Sequence, residues 1–472
     1  MAFETATPVP AGDEKSAARK KKKKSLAQIS QPKISKPKMP KQAEEAFTEE
    51  MEIQPEDIET ILEVVEPPPL PKEAGKKIEP PPITKEMQEQ MIQDKVRRDY
   101  QKHVESRRNA HEEFNRDFNC EKFVPERKAV AEQGFVAADD QNVFQLDYLA
   151  YTQEKIPDEK HPLNQDCALV DSESRMIAVF DGAGGAENGE KASRHAAKTF
   201  YEGFKEEKFQ HFDSEQDFEQ YKRDYEKKLK EQAKQASKLV SIKAPRSGTT
   251  MAFAQVVGTK EGKLQVAMAS IGDSPIYLMD KNKNVKQMTE DHNLISELAV
   301  MPKAKRGKIL PNVAMDMAVK NQEIKSIRNK AGEKEFIEIM ESLLDVSTSA
   351  EAIKLGLEKK YKGLTRDNVL GIYLAMSNRI TRSLGEQNLD PKKVSIKWME
   401  MDPGDTLLAF SDSVSDNRTE KQLEKELDGN VKNLGKVTRN LQKDFNNKNL
   451  VDKRLVKPDD IAECALTVSL AA

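Results

Sequence analysis

The stretch MIAVFDGAGGAENGEKAS (residues 176–193) changes character twice in eighteen residues. Met176 to Phe180 is a short apolar run rich in β-formers, the pattern of a buried strand. Asp181 follows at its end. A glycine-rich loop comes next, and from about residue 188 helix formers take over. Asp181-Gly182 alone could be a hairpin turn, and an isolated Asp after a strand is most often a turn or N-cap residue. The glycines that follow add something: they bring backbone close to a small object at a strand-to-helix junction.

Working outward, apolar runs punctuated by turns predict strands over Cys167–Val170, Met176–Phe180, Thr249–Val257, Leu264–Ile271, Pro275–Met279, Val394–Met401, Thr406–Phe410 and Ala462–Leu470. Helical stretches fall at about 188–206, 214–240, 317–360 and 419–446. Strands and helices come in blocks, not in strict alternation. The expected class is therefore α+β, a sandwich of two antiparallel β-sheets flanked by helices, with a helical insertion.

Two further aspartates border apolar strands. Asp412 follows Leu407 to Ser411, and Asp459 precedes Ala462–Leu470. Asp273 lies in the tight Gly272-Asp273-Ser274 turn between two strands. Carboxylates at the mouths of buried strands are expensive to desolvate. At contact distance and moderate dielectric each pair repels by about 4 kcal/mol. A divalent cation removes that cost, and an oxygen-only donor set selects hard ions such as Mg²⁺ or Mn²⁺.

In order along the chain come Asn164-Gln165-Asp166, then Val179-Phe180-Asp181-Gly182 with Gly185, Gly189-Glu190 and Ala192-Ser193. Next are Ser247-Gly248-Thr249-Thr250, Gly272-Asp273-Ser274 and Thr289-Glu290-Asp291-His292. Ile380 to Gly385, Pro403-Gly404-Asp405 with Ser411-Asp412, and Pro458-Asp459-Asp460-Ile461 complete the set. Each piece is weak alone, but this order over about 300 residues resembles the metal-dependent protein phosphatases of the type 2C class, in a bacterial-like form. The resemblance implies a serine/threonine protein phosphatase that uses two Mn²⁺ or Mg²⁺ ions, with an additional weaker site. It implies that Asp181 bridges both ions, with the Gly182 carbonyl as a further ligand. Asp412 and Asp459 hold one ion, Asp166 acts through water, and Asp273 serves the weaker site together with Asp412. A metal-bridging water attacks phosphorus in line, with no covalent phosphoenzyme.

The chain departs from the family pattern in places. His161 stands four residues before Gln165, where many members carry a phosphate-gripping Arg, and is the expected phosphate anchor. Ser413 replaces a glycine after Asp412. Ala183 and Ala186 stand where members often carry a histidine that protonates the leaving alcohol. These changes raise an alternative of another class, a catalytically weak pseudophosphatase that binds phosphoproteins. The 87 residues between His292 and Ile380 (293–379) read as a helical insertion with several helices over 317–375, either a flap that selects substrates or a surface decoration.

The catalytic domain is expected over 131–472, behind a helical linker at 85–130 and a disordered tail at 1–84. Residues 1–41 carry eleven Lys/Arg and three acidic residues, whereas residues 42–66 carry ten Asp/Glu and no Lys or Arg. Prolines cluster at 67–69 and 80–82. Such a segment buries too little apolar surface to offset chain entropy. Its basic run, Arg19 to Lys24, has no interleaved aromatics, which disfavours nucleic acid. A solvated tail, an acidic lipid surface, pairing with the acidic block and a regulatory partner are the remaining readings. The substrates implied are phosphorylated proteins. Three cysteines (Cys120, Cys167, Cys464) form no CxxC pair and suit a reducing compartment. No run is long and apolar enough to span a membrane, and the N-terminus lacks a signal h-region, so the expected location is cytoplasmic.

Overall fold

The computed structural model describes residues 123–124, 128–137, 143–153, 163–183, 188–346, 348–447, 450–451 and 457–471. The expected disordered tail, residues 85–122 of the linker, Cys120 and His161 lie outside the described residues.

The described chain forms two sheets packed face to face. Strands β1 (Phe123–Val124), β4 (Asp166–Asp171), β5 (Met176–Asp181), β7 (Met251–Lys260), β8 (Lys263–Ile271) and β11 (Ser395–Met401) run in that order across one sheet, and β6 (Gln210–Phe212) pairs in parallel with the end of β7. The second sheet has the order β10 (Val285–Gln287), β9 (Ile276–Met279), β12 (Thr406–Phe410), β13 (Ile461–Leu470), β3 (Val143–Gln153) and β2 (Lys128–Ala137). All its pairings are antiparallel.

Alternation along the strands builds the layers. Leu146, Tyr148, Ala168, Val170, Ile177, Val179, Ala252, Val266, Leu407 and Cys464 meet between the sheets. Their neighbours in sequence face outward. Phe180 and Phe253 pack under helices α1 (Gly189–Phe204) and α2 (Glu215–Lys243) through Phe200, Phe204 and Leu229. On the other side Leu408, Phe410 and Ala465 are covered by Leu423, Leu427, Val437 and Leu441. The expected sandwich flanked by helices is what forms. Cys167 and Cys464 are buried thiols outside any disulfide, and burial pushes the Cys464 thiol far up, so it stays protonated.

Two expectations change in detail. Phe123–Val124 and Lys128–Ala137 are strands, so the helical linker expected over 85–130 does not reach its end. The insertion, read as several helices over 317–375, is made of these: between α3 (Leu294–Val300) and α9 (Arg366–Ser377) lie α4 (Lys303–Lys320), α5 (Gln322–Ala331), α6 (Glu333–Ser342), α7 (Ser349–Lys354) and α8 (Leu357–Lys360). Asn321 ends α4 and caps α5 with its side chain, and Gly332, at φ 80°, turns the chain into α6. These helices bury an apolar cluster of their own, centred on Leu310, Phe336, Met340 and Leu370. The stretch 419–446 likewise breaks into α11 (Glu420–Leu427) and α12 (Leu434–Asn446), following the short α10 (Asp412–Ser415). Asp428 and Gly429, both at positive φ, make that break.

One buried acid in this core makes stability depend on pH. Glu463 of β13 accepts a 2.8 Å hydrogen bond from Thr438 Oγ1 of α12, and its other oxygen has no partner. Burial pushes its carboxyl up to about 8. The folded state therefore holds a proton that the unfolded chain releases above the ordinary carboxylate range. Stability is fullest below that range and falls by about 1.4 kcal/mol per pH unit until about pH 8. Glu463→Gln, neutral at every pH, is expected to melt several degrees above wild type at pH 8 and to match it near pH 4. Equal pH dependence in the two proteins would show that Glu463 is charged in the fold.

Candidate carboxylate site

Antiparallel pairing gathers the aspartates at one end of the sandwich. β4 begins with Asp166 and β5 ends with Asp181, and the register sets them directly opposite one another. β8 ends at Ile271, so Asp273 lies in the turn to β9. β12 ends at Phe410, two residues before Asp412, and pairs with β13, whose first residue follows Asp459 and Asp460. Six carboxylates from five strand ends thus share one neighbourhood.

The loops are tied together by their backbones. Gly182 N–H donates to Gln165 C=O at 3.1 Å. Gln165 N–H donates to Asp460 Oδ2 at 2.8 Å, and Asp166 N–H to Asn164 Oδ1 at 2.9 Å. Asp181 N–H donates to Thr250 Oγ1 at 3.1 Å, while Thr249 Oγ1 donates to Asp181 C=O at 2.8 Å. The turn bearing Asp273 is clipped by His292, whose Nδ1 accepts from Gly272 N–H at 3.1 Å while Nε2 lies 2.9 Å from Ser395 Oγ. Burial lowers this imidazole to about 4, so it is neutral at physiological pH. A neutral ring that accepts at Nδ1 carries its proton on Nε2 and donates it to Ser395.

The electrostatics are those of crowded like charges. Burial, then Asp166, Asp412, Asp459 and Asp273, pushes the Asp181 carboxyl well above the usual range. Asp166, 2% exposed, is raised by burial, then by Asp460 and Asp459, and Ser411 opposes this with a hydrogen bond. Asp273, 5% exposed, is raised by burial and Asp412. Asp166 Oδ2 and Asp273 Oδ1 are buried with no hydrogen-bond partner. Orphaned, mutually repelling carboxylate oxygens fit a hard divalent cation. Among the described residues, however, no three His, Cys, Asp or Glu side chains already stand in a ligating arrangement.

One cation is present in the chain itself. Lys457 Nζ contacts Asp412 Oδ2 and lies 2.9 Å from Asp416 Oδ2. Burial would lower this ammonium, but Asp412, Asp416 and Asp459 override it and hold the group well above its usual value, charged at physiological pH. Sequence reading singled out neither Lys457 nor Asp416. The available signal was a lysine two residues ahead of Asp459, beside a proline.

A cavity of about 880 Å³ opens between the sandwich and the helical insertion, lined among others by Tyr277, Asp291, Glu351, Tyr373, Asp416 and Arg418. Burial pushes the Asp291 carboxyl up to about 7, and Asp416 and Asp412 add to the effect against a hydrogen bond from Gln287. Among the described residues, no helix is long and apolar enough to cross a membrane.

Residues 146–297 match the family Protein phosphatase 2C. Among solved structures, the chain is similar to the serine/threonine phosphatase PstP/Ppp of Mycobacterium tuberculosis (16% identity, 69% of this chain and 99% of that one, TM-score 0.42). It is similar to the catalytic domain of PstP in complex with two manganese ions (16% identity, 69% and 99%, TM-score 0.41). It is also similar to the serine/threonine phosphatase Stp1 of Staphylococcus aureus (16% identity, 68% and 94%, TM-score 0.40). No curated protein sequence matches the chain.

Proposed function

We propose that this chain, whose residues 146–297 belong to the protein phosphatase 2C family, hydrolyses phosphoserine and phosphothreonine in proteins with Mn²⁺ or Mg²⁺. The observation that carries this reading is the group of buried carboxylates at one end of the sandwich, with orphaned oxygens on Asp166 and Asp273. Asp181, the Gly182 carbonyl, Asp412 and Asp459 would hold the cations, with Asp166 orienting water beside them. When bound, the cations supply Lewis acidity for the phosphoryl oxygens and a nucleophilic water at neutral pH. The chain's own contribution is position: Thr249, Thr250 and the Gln165–Gly182 backbone bond hold Asp181 and Asp166 opposite one another. His161 would steady a phosphate oxygen as a pH-dependent anchor, since imidazole loses its charge near neutrality. The cavity beside Asp416 gives a phosphoprotein chain room to lie against the insertion.

A second reading, a phosphoprotein-binding module with little turnover, gains support from the ammonium already seated on Asp412. The two separate in one experiment with phosphothreonine peptides, following peptide binding by fluorescence anisotropy and phosphate release in the same samples. The phosphatase reading expects release with Mn²⁺ and none with chelator. Tight binding without release would establish the module, and neither binding nor release would end both readings.

A further inference from the structure

Lys457 reaches the carboxylates from an anchored backbone. Asn417 grips it twice: Lys457 N–H donates to Asn417 Oδ1 at 2.8 Å, and Asn417 Nδ2 donates to Lys457 C=O at 3.0 Å. Asn417 Nδ2 also donates to Ser413 C=O at 2.7 Å, which ties Lys457 to the turn that presents Asp412. Pro458 restricts Lys457 to extended backbone. The side chain is 18% exposed, and its partners Asp412 and Asp416 are 14% and 22% exposed. Opposite lies Asp273, 5% exposed, with Oδ1 lacking any hydrogen bond and its charge coupled to both Asp412 and Lys457. Asp291, from the strand-to-helix connection after β10, adds a further acid facing this group, and Asp459 lies two residues along the chain.

An ammonium is a compact point charge with three donors. Among converging carboxylates it does part of the work of a metal ion, with half the charge and no vacancy for substrate oxygen. We infer that the Lys457 ammonium is a built-in cation that holds the Asp273–Asp412–Asp416 face in place of a divalent ion. The inference rests on the proposed cation-binding role of the site, and it revises the weaker Asp273–Asp412 metal position expected from the family. Metal ions are left to the side of Asp181, Asp459 and the second carboxylate oxygen of Asp412.

The test counts Mn²⁺ bound to the full-length chain by calorimetry and by the electron paramagnetic resonance signal of free Mn²⁺. Lys457→Gln is expected to bind about one additional Mn²⁺ per chain relative to wild type. Without metal it should melt below wild type, with the loss recovered on adding Mn²⁺. Lys457→Arg, which keeps the charge, should bind as many ions as wild type. If Lys457→Gln does not fold without metal, Lys457→Met, of similar volume, carries the same count. An unchanged count in the neutral variants, or an added ion in Lys457→Arg, overturns the inference. Mn²⁺ bound by Lys457→Gln and not by wild type would uphold the inference and sink metal-dependent hydrolysis by the natural chain. No Mn²⁺ bound by either would sink both.

Discussion

Asp181→Asn is expected to lower metal-dependent phosphate release by about 10³-fold, the upper end of the scale seen when a group that stabilises transition-state charge is removed. The fold should survive. Asp181 stands at the end of β5, opposite Asp166, and its carboxyl is pushed up by burial and four neighbouring acids. An amide of the same shape removes that repulsion, so the metal-free variant should melt at or above the wild-type temperature. Asp412→Asn should lose as much activity by a different route and with a different stability. It strips Lys457 of one of its two carboxylate partners and leaves a mostly buried ammonium with Asp416 alone. Breaking a buried pair on one side is costly, and a melting temperature lowered by several degrees is expected. Rates near wild type in both variants, measured with an aryl phosphate and saturating Mn²⁺, would remove these aspartates from the chemistry.

Gly182→Ala is expected to be nearly as damaging. A Cβ there would stand 2.3 Å from Gly189 O, 2.5 Å from Gly189 C and 2.7 Å from Gln165 O. All three are backbone atoms, so no side chain can swing aside. Either the start of α1 or the entry to β4 must move, at a cost of about 1–3 kcal/mol. Both segments carry the site: β4 begins at Asp166, and Gly182 follows Asp181. A displacement near 1 Å at such a position costs about 10²-fold in rate. Gly307→Ala, inside α4 with open space around the added carbon, should cost nothing and serves as the control. A Gly182→Ala protein with unchanged melting and turnover would contradict the tight crossing of these loops.

The strand set around the aspartates was legible because its buried strands carry unbroken apolar runs, Cys167–Val170 within Asp166–Asp171 and Met251–Ala254 within Met251–Lys260. Five strands were missed: β1, β6 and β10 are two or three residues long, and two longer ones were missed for the opposite reason. In Val143–Gln153 buried Phe144, Leu146, Tyr148 and Ala150 alternate with more exposed residues, so no apolar run marks the strand. Its period of two was nonetheless readable. Lys128–Ala137 lies beside it at the sheet edge and is weaker still, with Glu132 and Gly134 in its middle. The helical insertion was legible as several helices but their ends were not, because its breaks rest on single residues such as Asn321 and Gly332. The strand-end aspartates follow from local sequence. The Lys457–Asp412 contact does not, since it joins segments 45 residues apart and depends on the pairing of β12 with β13.

The central claim is that this carboxylate site needs a bound divalent ion to release phosphate. The most direct measurement titrates Mn²⁺ into the metal-free full-length chain while following phosphate release from a phosphothreonine peptide. The rate should rise from background with Mn²⁺, saturate as the ion binds, and return to background on adding chelator. A rate independent of Mn²⁺ and insensitive to chelator, or no release at any Mn²⁺ concentration, would contradict it.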